Sequence, residues 1–193
     1  QIKIKVNGHS FITSSPLEIW SIKEIFLDQD YLRYHSMPEQ GQVIDIGASI
    51  GDFSILTSPY VDQVFAFDCD SKRHEIMKQN LALNQVDNVE LVLKQVTSLE
   101  ELIDRWDINN PSFLKVDCEG CEYQILENCS DQLLQKIPQM AMELHLFNDE
   151  MKQARDQLIS RLKQLGFELR IDPNPVHHTV EFLYASKRDS DKT

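Results

Sequence analysis

The chain has 193 residues, 41% of them hydrophobic and 26% charged, enough for one globular domain with a substantial core. Its 31 acidic side chains against 19 basic ones leave a net charge of −12. A field of that sign repels phosphate backbones and anionic membrane surfaces, so nucleic acid is excluded as the favoured partner. No apolar run reaches the roughly 18–20 residues of a membrane span.

Residues 2–6 and 9–13 alternate around Asn7-Gly8, which predicts a β-hairpin rather than a signal peptide. The chain opens on Gln1 instead of Met, which suggests a trimmed chain or a piece of something longer. Ser15-Pro16 ends the hairpin unit, and Ile19, Ile22, Ile25 and Phe26 recur at helical spacing through about Leu27. Residues 1–40 are thus expected as an N-terminal hairpin and helix packed on a core domain of residues 41–187. The polar residues 188–193 are expected to fray.

From Val43 the pattern changes to short apolar runs separated by helical stretches. Buried parallel strands are predicted at 43–46, 64–67, 89–93, 113–116 and 140–146. Helices are predicted at about 52–58, 72–84, 99–105, 120–128 and 149–165, the last capped by Gly166. Two final strands, 167–171 and 179–186, are joined by a Pro-Asn-Pro loop without a helix, which suggests an antiparallel pair. Strand–helix alternation of this kind implies an α/β layered sheet.

Cys118 and Cys121 form a CxxC, a spacing compatible with zinc or redox chemistry. No second CxxC or HxxxH exists to complete a tetrahedral site, so no metal is assigned there. Reduced thiols in a cytoplasmic protein are the default expectation.

The first strand runs into Asp45-Ile46-Gly47-Ala48-Ser49-Ile50-Gly51-Asp52. Small residues at 47, 48 and 51 let the backbone approach a ligand at the helix start, although a plain tight turn has the same look. Asp68 ends the second strand about twenty residues past the first glycine, where a ribose-binding carboxylate belongs. Alternatively, Asp68 and Asp70 cap the helix beginning near Ser71. Acidic residues on both sides of the turn suit a donor carrying an ammonium and a sulfonium better than a pyrophosphate. The turn is therefore expected to bind S-adenosylmethionine.

The fourth strand ends in Lys115-Val116-Asp117-Cys118-Glu119-Gly120-Cys121-Glu122. Carboxylates at the carboxyl ends of parallel strands fall in the ligand crevice, and burying them unpaired costs several kcal/mol. The other reading is a helix start with acids in a favourable dipole position and Lys115 paired to one of them. In the fifth strand alternation puts Glu143 and His145 on one face, where His145 is either a general base or a structural histidine. His177 and His178 are read as surface residues.

In these residues the chain resembles the FkbM-type family of S-adenosylmethionine-dependent methyltransferases. The resemblance runs from about Ile22 to His145 and includes Lys23-Glu24-Ile25-Phe26, Tyr31, residues 43–51, Ala66-Phe67-Asp68, Asn80 and Asn84. Its most specific block is Lys115-Val116-Asp117-Cys118-Glu119-Gly120-Cys121-Glu122. It implies a class I methyltransferase Rossmann-like fold with a seven-stranded, mostly parallel sheet and an antiparallel last strand. It implies O-methylation of sugars, glycans or secondary metabolites. By position, Asp45, Gly47, Ala48 and Gly51 would line the methionine side of the donor, and Asp68 with neighbouring Cys69 the ribose side. Lys115, Asp117, Glu119 and Glu122 would form an acidic floor beside the methyl group. Two departures are that Asp68-Cys69 stands where the family usually has Glu-Pro, and that Leu93 leads almost directly to the helix at Leu99.

On this reading the donor lies across the ends of the first, second and fourth strands. Asp117 or His145 takes the acceptor's proton, with Glu119 and Lys115 orienting it. In a variant, Asp117, Glu143 and His145 hold Mg²⁺, which acidifies the hydroxyl, although nothing in the sequence requires it. The rival readings are a non-catalytic S-adenosylmethionine-binding module and a nicotinamide-dependent oxidoreductase.

Overall fold

A computed structural model of the chain describes residues 1–187, so the expected frayed tail at 188–193 lies outside the described residues. The chain divides into two compact units, residues 1–95 and the residues from 96 on. The boundary between them falls in the sequence just after the third parallel strand.

The first unit opens with the expected hairpin, β1 (Ile2–Val6) against β2 (His9–Thr13), turning on Asn7 and Gly8, both at positive φ. Helix α1 (Pro16–Lys23) begins at the residues read as a terminator. Ser15 is its N-cap and Pro16 sits in its first turn, where a missing N–H costs nothing. Glu18 reaches back to Ser14 and Ser15 while its own N–H donates to Ser15 Oγ, a reciprocal capping box. The helical spacing read through Leu27 continues as a π-helical turn, Glu24–Asp28, closed by the left-handed Gln29. That wider turn keeps Ile22, Ile25 and Phe26 all buried.

The parallel strands β3 (Gln42–Ile46), β4 (Gln63–Asp68) and β5 (Val89–Leu93) follow, with helix α2 (Asp52–Thr57) after β3 and α3 (Ser71–Leu83) after β4. Val43, Ile44, Val64, Ala66 and Phe67 are fully buried. Each large side chain removed from water in this way contributes roughly 1.5–3 kcal/mol. β5 departs from the expected buried strand: none of its residues is fully buried, and Leu93 is 50% exposed. Among the described residues it is an edge strand, paired with β4 alone.

The second unit carries α4 (Leu99–Arg105), β6 (Pro111–Val116), α5 (Glu122–Glu127), β7 (Gln139–His145), α7 (Asp149–Gln164), β8 (Phe167–Pro173) and β9 (Val180–Lys187). A short helix that the sequence reading missed, α6 (Asp131–Leu134), starts at a Ser130 cap. β6 and β7 are parallel, and β9 lies antiparallel to both β7 and β8. Ser186 and Lys187 belong to β9. The seven strands are ordered β5-β4-β3-β6-β7-β9-β8, apart from the two-stranded hairpin sheet. That is the expected α/β fold with a mostly parallel sheet and an antiparallel end. No helix among the described residues is long and apolar enough to cross a membrane.

Candidate functional site

Two clusters of polar residues stand at strand ends, one in each unit. The first is built on the turn between β3 and α2. The N–H groups of Gly47 and Ala48 both donate to the Phe67 carbonyl, at 2.9 and 3.0 Å. This double bond to the penultimate residue of β4 brings the turn onto Asp68. The Ser49 N–H donates to Asp68 Oδ2 at 2.8 Å, and the Asp70 N–H donates to Oδ1 at 2.7 Å. Asp68 is only 6% exposed, so its charge is stabilised by two backbone donors. Each oxygen keeps a further lone pair for a ligand hydroxyl.

The capping role belongs to Asp70, whose Oδ1 accepts from the N–H groups of Lys72 and Arg73. These two bonds, the larger coming from Arg73, hold the Asp70 carboxyl below its ordinary value. Of the two carboxylates it is thus Asp70, not Asp68, that caps α3.

Gly47, Ser49 and Gly51 all have positive φ. At Gly51 a side chain is excluded twice, by φ +87° and by Met77, whose Cγ would lie 2.8 Å from an added Cβ. Of the expected donor residues, Gly47 is half-buried, Ala48 and Gly51 are buried, and Cys69 is exposed with a free thiol. Asp45 is wholly buried, and its Oδ2 accepts from Ser54 Oγ at 2.7 Å. Asp52 accepts from Ser21 Oγ at 2.5 Å. Ser49, which no sequence signal singled out, is the residue that connects the turn to Asp68.

Asn80 and Asn84, which carry part of the family resemblance, tie the hairpin to α3, and Asn80 also reaches this turn. Asn84 exchanges hydrogen bonds with the backbone of Ser10, accepting at 2.9 Å and donating at 2.7 Å. One helical turn earlier, Asn80 does the same with Ile12, accepting at 2.7 Å and donating at 3.2 Å. Its amide also donates to the Ile50 carbonyl at 2.9 Å.

The second cluster gathers the sequence-predicted acids around His145. Glu122, fully buried at the start of α5, is its centre. Oε1 accepts the His145 main-chain N–H at 2.7 Å and lies 3.1 Å from its ring Nδ1. Oε2 accepts the Gly120 N–H at 2.9 Å. On the other edge of the ring, Nε2 is 3.4 Å from Glu119 and 4.0 Å from Glu143. His145 is 3% exposed. Burial works against its charge, but the Glu122 hydrogen bond and the charges of Glu122, Asp117 and Glu119 outweigh it and raise its pKa above 6.5. The Tyr123 hydroxyl donates to the His145 carbonyl at 2.9 Å, and its own pKa is raised by burial first and Glu122 second.

Glu122 and Glu119 thus flank the two edges of the His145 ring. Lys115, almost fully buried, lies 4.0 Å from Asp117. Asp117, Glu143 and His145 each offer one ligand atom within 4.8 Å of the others, the trio expected from the sequence for a divalent cation. Between Asp117 and Glu122 the backbone turns through Glu119 and Gly120 at positive φ. Cys118 and Cys121 are joined by a disulfide across this turn, with Cα atoms 5.5 Å apart, well inside the range a disulfide spans. That corrects the expectation of reduced thiols for this pair, and the sulfurs are bonded to each other rather than offered as zinc ligands. His177 and His178 are exposed, as expected.

Residues 39–169 match the model of the methyltransferase FkbM domain. The hexuronic acid methyltransferase AglP of Haloferax volcanii is 23% identical, over 73% of this chain and 73% of that protein. The tRNA (guanine(37)-N(1))-methyltransferase Trm5b of Pyrococcus abyssi is 32% identical over 88 residues, 45% of this chain. The chain spans only 27% of that relative's length. Among solved structures, a methyltransferase candidate of Streptococcus mutans in complex with SAH superposes with a TM-score of 0.64. That match covers 91% of this chain and 99% of the other at 15% identity.

Proposed function

This chain belongs to the FkbM-domain methyltransferase family, and on that premise we propose that it is an S-adenosylmethionine-dependent O-methyltransferase acting on a hydroxyl of a sugar, glycan or secondary metabolite. Family membership sets aside the nicotinamide-dependent oxidoreductase. The observation that carries the reading is the hold of Glu122 on His145.

With Nδ1–H directed at Glu122 Oε1, the neutral ring carries its lone pair on Nε2. A hydroxyl brought to Nε2 loses its proton there as its oxygen becomes nucleophilic. Glu122 also fixes the backbone of His145, so ring position and tautomer are set by one carboxylate. Bound S-adenosylmethionine supplies the electrophilic methyl group. In the first unit Asp68 receives the ribose hydroxyls, and Gly47 and Ser49 present backbone to the donor. The residues present fit such a donor, because Asp68 is a buried carboxylate with acceptor capacity left.

The acceptor is expected to be uncharged. Asp117, Glu119, Glu122 and Glu143 surround His145 and Lys115, and the whole chain carries −12. A phosphate backbone of the kind the tRNA relative acts on is disfavoured by both. The exposed ring of Phe147, 5.1 Å from the His145 ring, offers an apolar face beside the acids.

A second reading is favoured by the trio Asp117, Glu143 and His145, in which a divalent cation lowers the hydroxyl pKa directly. The test is transfer of a labelled methyl group from S-adenosylmethionine to neutral sugars, hexuronic acids and tRNA, with and without EDTA. Transfer to a hydroxylated neutral acceptor, reduced about 10²–10⁴-fold by His145→Ala, supports the proposal. Loss in EDTA with recovery on adding Mg²⁺ selects the cation reading. Transfer to tRNA alone, or donor binding without transfer to any acceptor, overturns it.

A further inference from the structure

We propose that Asn80 is a positioning residue for the donor turn, holding Gly47–Gly51 in its ligand-ready shape by way of the Ile50 carbonyl. The inference rests on the reading of that turn as the donor site.

Asn80 is fully buried, and its side chain makes three hydrogen bonds. Two go to the Ile12 backbone in β2, which leaves one amide hydrogen for Ile50. Ile50 stands in the middle of a sharply constrained segment. Ser49 and Gly51, on either side, both have positive φ, and the Gly51 N–H turns back to the Ala48 carbonyl at 2.8 Å. The Ile50 side chain is itself fully buried. The peptide between Ile50 and Gly51 is therefore anchored on its carbonyl side by Asn80, while the Ser49 N–H faces Asp68. If that carbonyl is released, the peptide can rotate and carry the Ser49 N–H and the Gly47 backbone away from the arrangement around Asp68. A buried carbonyl left without its donor is unfavourable, so the turn has a reason to rearrange.

Asn84 provides an internal control. It makes the same pair of bonds to the same strand edge, at Ser10, one helical turn away, and its third bond goes to the Asn80 carbonyl within α3. Removing either amide loosens the hairpin from α3. Only Asn80 reaches the donor turn.

The experiment compares Asn80→Ala with Asn84→Ala in the full chain. It measures calorimetric affinity for S-adenosylhomocysteine, melting temperature and amide hydrogen exchange. Both variants are expected to melt earlier. Asn80→Ala is expected to weaken S-adenosylhomocysteine about tenfold, the equivalent of one lost hydrogen bond, and to speed exchange of the 47–51 amides. Asn84→Ala is expected to leave both within about twofold of the parent. If Asn80→Ala does not fold, Asn80→Asp takes its place, since it keeps the acceptor for the Ile12 N–H and loses the amide that donates to the Ile50 and Ile12 carbonyls. Equal loss of affinity in the Asn80 and Asn84 variants, or unaltered affinity in Asn80→Ala, overturns the proposal. Failure of the parent protein to bind S-adenosylhomocysteine overturns the donor reading instead, and exchange at residues 47–51 then still decides whether Asn80 holds the turn.

Discussion

The two polar clusters are held together by different physics. Around Asp68 the work is done by backbone groups: N–H donors of Ser49 and Asp70, the shared Phe67 carbonyl, and the Ile50 carbonyl fixed by Asn80. Around His145 it is done by side-chain charge, with one buried carboxylate on the ring and two more facing its far edge. A backbone-built site recognises shape and tolerates few changes of conformation. A charge-built site can move a proton, and it depends on which side chains ionise. The contrast predicts that mutations in the two places will separate binding from chemistry.

The largest effect is expected at Glu122. Glu122→Gln keeps the volume but no longer sets the imidazole tautomer, and the methyl-transfer rate should fall about 10²–10⁴-fold. S-adenosylhomocysteine affinity should change little. If both fall together, the division of labour is wrong. Next is Gly51→Ala, where a Cβ meets both a positive φ and the Met77 side chain. A destabilisation of about 1–3 kcal/mol with weakened donor binding is expected in chemical denaturation and calorimetry. A neutral result would show that the turn is looser than its geometry implies.

A smaller effect separates Asp70 from Asp68. Asp70→Asn should leave donor affinity intact while altering acid stability. The Asp70 pKa is depressed in the folded chain, so its contribution is complete above 3.8 and is lost as pH falls through the lower folded value. The variant's melting temperature should therefore fall less steeply with acid over that window than the parent's. Smallest is thiol reactivity. Cys69 is exposed, whereas burial pushes the Cys129 thiol up to about 12. Alkylation near neutral pH should label Cys69 quickly and Cys129 only on unfolding, and Cys118 and Cys121 should react after reduction of their disulfide.

Much of this was legible in the sequence because the signals were local. Apolar runs ending in glycine or aspartate marked β3, β4 and β6, and the alternation Glu143-Leu144-His145 correctly placed both polar residues together. The capping box at Ser15 is equally local: Ser-Pro follows the strand end, as expected, and also starts the helix, which begins at Pro16, one turn ahead of the apolar spacing at Ile19. Non-local pairing was not legible. Nothing in the spacing of Asn80 and Asn84 reveals that they grip Ser10 and Ile12, some seventy residues away in sequence. Similarly, in its own segment Glu122 is one acid among three, and only the fold reveals its contact with His145 at the end of β7. The exposure of β5 followed from its place at the sheet edge, which a strand's own residues do not encode.

The most direct measurement is calorimetric titration of the chain and of Asp68→Ala with S-adenosylhomocysteine. The account predicts one site per chain, with affinity lost or weakened at least tenfold when the carboxylate proposed to receive the ribose hydroxyls is removed. Undiminished binding in a folded Asp68→Ala variant, or no binding by the parent chain, would contradict it.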